Sequence, residues 1–237
     1  MSTSERRTQI LRLLQSHGGL SIRELSAMVF TSAASVRRDV IALEEEGLVR
    51  RVYGGVLLST SDNAVVPLSV RDSEHSAQKE RLARRAAELV EDGDTILLDA
   101  SSTVRRMIRH LHGLRDLTII TNNDRILHEL DGLNAHVLCT GGEYLRENHA
   151  FAGPAAEAFV RGVWADKLFF SSQGLSQDGE VSDHSEIETA LRRAMLERSA
   201  HHYCLMDDSK IGRRCRFRLC SQEDIDQLIC EKKLPWQ

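Results

Sequence analysis

Apolar residues in the first thirty positions recur at the spacing of two short helices. Residues 5–17 place isoleucine and leucine side chains on one helical stripe, and the pair Gly18 and Gly19 ends it. Ser21 and Glu24 stand at the spacing of a capping box, in which each side chain accepts a hydrogen bond from a backbone N–H of the first turn. The pattern therefore predicts a second helix that begins at Ser21.

A third helix is predicted after a short turn. Ser32 is placed as its N-cap, and Val36, Val40 and Leu43 then recur at positions i, i+4 and i+7. These three apolar side chains should face the other two helices. Gly47 should end the element, because glycine adopts the left-handed backbone that commonly follows a helix.

Two short strands are predicted next, over residues 48–52 and 56–58, around Gly54 and Gly55. Three short helices followed by a basic hairpin are typical of a winged helix-turn-helix, whose third helix enters the major groove of DNA. Surface arginines alone would equally fit a small helical domain without a nucleic-acid partner. The order of the elements therefore carries the interpretation.

The start of the third helix and the hairpin supply the predicted DNA contacts. Small residues let the helix backbone approach base edges closely, and arginine pairs with guanine or with phosphate. Arg38 is the main candidate for such a contact, whereas Arg37 either contacts DNA or supports the fold through Asp39 or a cap. The predicted DNA-binding residues are Ser32, Ala33, Ala34, Ser35, Arg37, Arg38, Arg50 and Arg51.

Residues 59–75 are polar, lack helical period and contain Pro67, which predicts a linker between a DNA-binding domain at 1–58 and a second domain at 76–237. In the second domain, helical segments alternate with short apolar runs, a pattern that predicts an α/β fold with a mainly parallel sheet. The predicted helices cover 76–91, 103–112, 123–130, 154–161 and 184–198, and the predicted strands cover 94–99, 117–121, 135–140, 166–171 and 202–206.

Polar residues follow each of these predicted strands. Ligands of parallel sheets bind beyond the carboxyl ends of the strands, where hydroxyl groups, helix starts and a lysine suit a small anion. The candidate ligand residues are Asp99, Ser101, Ser102, Thr103, Thr121, Asn122, Gly141, Gly142, Asp207 and Lys210. Individually, the hydroxyl and amide residues also fit helix caps and the glycines a tight turn, so their clustering predicts the pocket.

Charge and composition narrow the function classes. The chain of 237 residues has a net charge of −4 and 41% hydrophobic residues. Positions 1–58 carry eight arginines and six acidic residues, a balance of +2, which leaves −6 for the rest. The N-terminus lacks the apolar core of a signal peptide, and five cysteines without a C-x-x-C pair indicate neither disulfides nor zinc. A cytosolic, DNA-binding protein without a membrane span or metal cofactor is expected.

Six stretches together carry a family resemblance, namely SVRRDVIALEEEGLVRRVYGG, KERLARRAAELVEDGDTILLDASST, TIITNN, the TGG at 140–142, GLSQDGE and DDSKIG. With these stretches the chain resembles the DeoR (deoxyribose-operon repressor) family of bacterial transcription regulators over nearly its whole length. The resemblance implies a sensor domain similar to ribose-phosphate isomerases and CoA transferases. It also implies a phosphorylated sugar or similar metabolite as effector, and a homodimer or homotetramer.

The resemblance implies that the candidate residues at the strand ends form the effector site and adds Arg192 to them. Two positions depart from the pattern of the family. Ser101 stands where the family often has glycine, in the loop expected to hold the anion. Arg192 stands where the family often has lysine, and its planar guanidinium presents a different donor geometry to a ligand.

Two classes of function fit the sequence. The first is a repressor of a carbohydrate-catabolism operon, which binds an operator in double-stranded DNA with an affinity controlled by the effector. The second is an enzyme, a sugar-phosphate isomerase or a CoA transferase, with an accessory DNA-binding domain and a poised carboxylate or lysine. The first interpretation is favoured, because no set of residues is suited only to turnover and the recognition helix would otherwise be unexplained.

Overall fold

The structure is a computed structural model, and it describes residues 2–17, 20–52, 55–59, 72, 75–232 and 234. The chain divides into two compact units, Met1–Arg71 and Asp72–Gln237.

The N-terminal unit has the predicted three helices and hairpin. Its elements are α1 (Thr3–His17), α2 (Ile22–Met28), α3 (Ala33–Glu45), β1 (Val49–Val52) and β2 (Gly55–Leu58). Both bonds of the predicted capping box are present, since Ser21 Oγ accepts from the Glu24 N–H at 3.2 Å and Glu24 Oε2 accepts from the Ser21 N–H at 2.8 Å. The predicted N-cap of α3 is also confirmed, because Ser32 Oγ accepts from the Ser35 N–H at 3.2 Å.

One apolar core holds this unit together. Val36, Val40 and Leu43 are buried, as their spacing predicts, and they belong to the same cluster as Ile10 and Leu25. The strands β1 and β2 pair antiparallel, and an isolated bridge between Leu20 and Val56 joins the hairpin to the segment before α2.

Among the described contacts, Asp39 does not pair with Arg37, which was one of the alternatives open for Arg37. Asp39 is buried, and its carboxylate pairs instead with two arginines of α1, Arg6 Nε at 2.5 Å and Arg7 Nε at 3.5 Å. Residues two apart on a helix point in different directions, so Arg37 lies on the exposed side while Asp39 faces α1. The acid of α3 therefore fastens α1 to α3 and leaves Arg37 at the surface.

Most of the predicted linker, at positions 60–71, 73 and 74, lies outside the described residues, as do Gly18, Gly19 and Gly54. Asp72 is described and belongs to the second unit. Its carboxylate pairs with Arg125 and, at 3.0 Å, with Arg105, and its carbonyl accepts from Arg106 Nη2 at 2.7 Å. Asp72 of the predicted linker is thus fixed on the second unit.

The second unit is built on a parallel sheet. The strands in chain order are β3 (Thr95–Leu98), β4 (Leu117–Thr121), β5 (Ala135–Cys139), β6 (Glu143–Leu145), β7 (Ala150–Ala152), β8 (Ala165–Phe170), β9 (Gly174–Leu175), β10 (Glu180–Asp183), β11 (Ser199–Leu205), β12 (Phe217–Ser221) and β13 (Gln227–Ile229). The central sheet has the order β13-β11-β8-β3-β4-β5, and every neighbouring pair in it is parallel. All five predicted strands are present, and the predicted α/β class is confirmed.

Helices cover the sheet, though four of the five are shorter than predicted. They are α4 (Ser76–Ala87), α5 (Asp124–Leu127), α6 (Pro154–Arg161) and α7 (Glu186–Glu197), with 3-10 helices at Val104–His110, Arg146–Asn148, Asp208–Lys210 and Gln222–Asp224. The helix predicted at 103–112 is a 3-10 helix, and the one predicted at 123–130 has a single turn. Both faces of the sheet are apolar and need helices packed on them. Adjacent residues of β3 show this, because Leu97 packs into one core cluster with Phe170 and Leu98 into another with Phe169.

A second, antiparallel sheet was missed. Its order is β12-β10-β9, and β6 and β7 form a separate hairpin. These strands are two to five residues long. Several of them are polar, so they lack the apolar run or alternation by which a strand is recognised in a sequence.

We expect Asp39→Ala to lower the free energy of unfolding by about 2 kcal/mol, the typical value of hydrogen bonds to a charged group. Arg37→Ala should change it by less than about 0.5 kcal/mol, because Arg37 is exposed and substitutions of surface side chains usually change stability little. Urea denaturation of the full chain, followed by circular dichroism, measures both. Equal losses in the two variants would return Arg37 to the role of a supporting residue.

Candidate DNA-binding surface and effector site

The predicted recognition residues lie on the outer surface of α3. Arg37 and Arg38 are exposed, and so are Ser32 and Ala34, whereas Ala33 and Ser35 are half-buried. Arg38 Nη2 lies 3.3 Å from Ser35 Oγ, which directs the guanidinium toward the first turn of the helix. The first turn of α3 therefore presents small side chains beside the guanidinium groups of Arg37 and Arg38.

The hairpin adds two arginines of different character. Arg50 is exposed. Arg51 is held by Glu44 of α3, whose Oε1 accepts from the Arg51 backbone N–H at 2.9 Å and whose Oε2 lies 2.5 Å from Arg51 Nε. The backbone N–H and then the guanidinium of Arg51 lower the pKa of the Glu44 carboxyl, so the pair is charged at neutral pH. Arg51 is thus oriented by the fold, while Arg50 is not.

The sequence analysis did not select one further basic residue, which lies on α2 beside α3. Arg23, in the first turn of α2, lines a surface groove together with Arg37 and Arg51. The groove runs between α2, α3 and the hairpin. In the sequence, Arg23 stands out only by following the Ser21 cap at an exposed position. This does not distinguish Arg23 from any other surface arginine.

In the second unit, the predicted ligand residues come together beyond the carboxyl ends of the strands of the central sheet. We call this row of strand ends the edge of the sheet. Neighbouring strand ends are joined by hydrogen bonds, so the edge is continuous from β11 to β5. The joining contacts are Lys210 Nζ to Gln173 Oε1 at 2.6 Å, the Ser171 N–H to Asp99 Oδ2 at 3.3 Å, Thr121 Oγ1 to the Leu98 carbonyl at 2.8 Å, and the Thr140 N–H to the Thr121 carbonyl at 3.0 Å.

Arg192 does not stand open at this edge, because carboxylates enclose it. Its Nε lies 2.8 Å from Asp99 Oδ2, and its Nη1 lies 2.9 Å from Asp183 Oδ2. Glu188 Oε1 lies 3.9 Å from Nη2, and the Arg192 side chain is 7% exposed. Burial alone would lower the pKa of Arg192, but the charges of Asp183, Asp99 and Glu188 outweigh it and raise the pKa. The guanidinium is therefore permanently charged and committed to protein carboxylates.

The loop after β3 is organised by Asp99 and by a lysine that the sequence interpretation omitted. Asp99 Oδ1 accepts from the Ser101 N–H at 3.0 Å, and Ser101 Oγ accepts from the Val104 N–H at 3.2 Å. Ser101, Ser102 and Thr103 are all buried. Lys79 of α4 is 4% exposed, and its Nζ lies 3.3 Å from Ser102 Oγ. Lys79 therefore joins α4 to this loop from a buried position.

Two adjacent asparagines follow β4, and each has one amide atom without a hydrogen-bond partner among the described residues. These atoms are Asn122 Oδ1 and Asn123 Nδ2, and both residues are at least nine-tenths buried. Thr121 instead uses its hydroxyl inside the fold, where it accepts from the Asn123 N–H at 3.1 Å. Unpaired buried amides are uncommon in proteins and indicate a missing partner.

The remaining predicted ligand residues are two glycines after β5 and two charged residues after β11. Gly142 is required by the fold, since a Cβ there would lie 2.5 Å from the Ala152 carbonyl oxygen, whereas nothing surrounds a Cβ at Gly141. Asp207 caps the 3-10 helix Asp208–Lys210 by accepting from the Ser209 N–H at 3.0 Å. Lys210 is half-buried next to it, with its ammonium on the β8 side of the edge.

The described residues offer little for metal or thiol chemistry at this edge. No cluster of three His, Cys, Asp or Glu side chains in the described ranges could hold a metal ion. Burial, followed by neighbouring thiols and Asp99, raises the pKa of Cys204 well above its usual value, so this buried thiol is protonated at neutral pH. Likewise, none of the helices described is both long and apolar enough to cross a membrane.

Comparison with protein families assigns both units. Residues 6–62 match the DeoR-like helix-turn-helix domain, and residues 74–232 match the DeoR C terminal sensor domain.

Relatives of similar length are named as transcriptional regulators. The HTH-type transcriptional regulator GolR of Listeria innocua is 32% identical over 97% of this chain and 91% of its own length. The transcriptional repressor AccR of Agrobacterium fabrum is 32% identical over 97% and 90%. A putative aga operon transcriptional repressor of Escherichia coli O157:H7 is 30% identical over 98% and 88%.

Part of the chain is similar to solved structures of low sequence identity. The delta subunit of eIF2B from Chaetomium thermophilum matches with a TM-score of 0.50 and 16% identity, over 68% of this chain and 58% of that one. Ribose 5-phosphate isomerase A from Methanocaldococcus jannaschii reaches a TM-score of 0.42 with 16% identity, over 58% and 55%. These likenesses concern architecture alone. With both of its units matched and full-length relatives at 30% identity or more, the chain belongs to the DeoR family of transcriptional regulators.

Proposed function

We propose that this regulator is a repressor of a carbohydrate-use operon, and that a phosphorylated sugar or similar anionic metabolite at the sheet edge sets its affinity for the operator. One observation carries the effector part of the proposal. Polar residues from five adjacent strand ends form one continuous edge, and Lys79 and Lys210 bring positive charge to it. No redox cofactor or metal enters the proposal.

The DNA-reading part rests on the surface of α3. Arg38 is exposed beside the small residues of the first turn, so that its guanidinium is available to guanine or phosphate. Arg23, Arg37 and Arg50 are suited to backbone phosphates, which supply affinity without sequence information. Binding as two or more copies would place two such surfaces on successive turns of the duplex.

The effector part assigns separate tasks to the residues of the edge. Asp99 and Asn122 suit sugar hydroxyls, because a carboxylate accepts hydrogen bonds and Asn122 Oδ1 has no partner among the described residues. Lys79, Lys210 and the hydroxyls after β3 suit the phosphate. Arg192 acts as a positioning residue in this scheme, since it fixes Asp99 through its buried ion pair rather than contacting the ligand.

Asp72 offers a physical route from this edge toward the DNA-binding unit. Two of the polar strand ends lead directly into the 3-10 helix Val104–His110 and into α5, which carry the arginines that hold Asp72. Asp72 is the first described residue after positions 60–71 of the predicted linker. An effector that shifts these two elements would therefore alter the contacts of Asp72, with a coupling of about 1–3 kcal/mol expected for such systems.

An enzymatic role is not adopted, because Asp99 is engaged by Arg192 and the named relatives are regulators. Incubation of the protein with sugar phosphates, followed by product analysis, checks this choice. Product formation at enzymatic rates would favour an isomerase or a CoA transferase instead.

For the DNA surface, we expect Arg38→Ala to weaken binding to a duplex that the wild-type protein selects from a random-sequence library, by roughly tenfold or more. The melting temperature should not fall, because Arg38 is exposed and its contact with Ser35 Oγ, at 3.3 Å, is long. Gel shift and thermal denaturation measure the two properties. Unchanged affinity for the selected duplex would mean that α3 is not the recognition helix.

For the effector site, sugar phosphates and their unphosphorylated counterparts are compared in a thermal-shift screen. A phosphorylated compound that raises the melting temperature should bind Lys210→Ala and Lys79→Ala roughly tenfold to a hundredfold more weakly, through loss of a charge-assisted hydrogen bond. Both variants should still bind the selected duplex. Lys167→Ala is the matched control, because Lys167 pairs with Asp94 at the opposite edge of the sheet. Equal losses of affinity for the sugar phosphate in all three variants would contradict an effector site at the strand ends.

For the coupling, Asp72→Asn should retain both the sugar phosphate found in that screen and the selected duplex, yet reduce the effect of one on the other. Removal of the charge weakens the contact with Arg105 and Arg125 without changing the shape of the side chain. Asp92→Asn is the control, because Asp92 forms an exposed pair with Arg115. Titration of the duplex with and without effector measures the coupling, and a normal response in Asp72→Asn would contradict this route.

A further inference from the structure

One aromatic residue of the DNA-binding unit is almost completely exposed. Phe30, in the turn between α2 and α3, has 94% of its surface open, more than any other large hydrophobic residue that the structure describes. Single exposed hydrophobic residues are common on proteins. Phe30 differs from them in its backbone and in its place.

The backbone of Phe30 is strained. Its φ is +50°, in the left-handed region where glycine, and to a lesser degree asparagine, is favoured over other residues. Such a conformation costs of order 1–3 kcal/mol and persists only where the surroundings impose it. A glycine at this position would form the same turn without that cost.

The turn around Phe30 is held firmly by its neighbours. Val29 is buried in the core on one side. On the other side, the Thr31 N–H donates to the Ser26 carbonyl at 3.1 Å, and Ser26 Oγ donates to the Thr31 carbonyl at 2.5 Å. The outward position of the ring is thus set by the fold and not by a loose loop.

Phe30 also lies next to the recognition surface. Ser32, the N-cap of α3, follows two residues later, and the exposed arginines of α3 begin at Arg37. In the major groove, the methyl group of thymine is the apolar feature of a base pair, and phenylalanine is among the side chains that contact it. A strained, rigid, exposed ring at the entrance of a recognition helix fits that contact.

We infer that Phe30 is a specificity-determining residue, which packs its ring against a thymine methyl group in the operator. This inference rests on the DNA-binding part of the proposed function and names one feature of the base sequence that the protein reads. The fold itself does not use the ring, so its contribution appears only when DNA is bound.

The test combines a change in the protein with a change in the DNA. Phe30→Gly and Phe30→Asn are compared with the wild type on the selected duplex and on a set in which each thymidine in turn is replaced by deoxyuridine. Deoxyuridine lacks only the methyl group. The wild type should lose about fourfold in affinity at one position of each half-site, the value of one buried methyl group, and both variants should show no loss there.

The two variants should also bind the unmodified duplex roughly tenfold more weakly than the wild type, because they lack the ring. Their melting temperatures should rise, because glycine and asparagine relieve the strained φ. A residue kept only for folding would behave in the opposite way, with lower stability and unchanged affinity. Arg38→Ala serves as the matched control, since it should weaken binding and remain sensitive to the same deoxyuridine.

Three outcomes would overturn the assignment. The first is equal sensitivity of the wild type and of Phe30→Gly to every deoxyuridine. The second is unchanged affinity of the variants for the selected duplex. The third is a change in oligomeric state on analytical ultracentrifugation that accounts for the whole loss, since Phe30 would then contact a second copy of the chain. Failure of the wild type to select any sequence would instead count against the proposed DNA-reading function itself.

Discussion

The second unit is organised around the buried charge of Arg192. A guanidinium removed from water is strongly destabilising unless carboxylates surround it, and Asp99 and Asp183 meet it at 2.8 and 2.9 Å. Asp99 directly follows β3 of the parallel sheet, Asp183 ends β10 of the antiparallel sheet, and Arg192 itself lies on α7. One ion pair cluster therefore fixes the relative position of three elements at the edge where a ligand is proposed to bind.

This arrangement separates two tasks among the residues at the strand ends. A carboxylate that accepts from Arg192 and from two backbone N–H groups is held rigidly, which suits a group that must meet sugar hydroxyls at a fixed place. Positive charge comes from Lys79 and Lys210, which lie on α4 and in the 3-10 helix after β11. Rigid acceptors and lysine donors on different elements would allow a ligand to draw those elements together.

In the N-terminal unit, too, buried or oriented ion pairs hold some charged residues and leave others exposed. Asp39 pairs with Arg6 and Arg7 and so fastens α1 to α3, and Glu44 orients Arg51. The side chains of Arg37, Arg38 and Arg50 are left exposed on the surface that is proposed to bind DNA. Phe30 is the apolar member of that surface, and its strained backbone indicates that stability was not the property that placed it there.

The sequence by itself determined the elements whose signals are local. Helix caps at Ser21 and Ser32, the apolar spacing of α3 and the five long strands depend on contacts within a few residues, so their patterns are visible in one dimension. It also placed the polar residues at strand ends, because parallel alternation brings those ends to one edge. Only the tertiary structure decided which charges meet. Arg192 to Asp99, Lys79 to Ser102 and Asp72 to Arg105 join residues 93, 23 and 33 positions apart. The short antiparallel strands were likewise decided by their partners, because pairing across the chain stabilises a strand of two or three residues that has no pattern of its own.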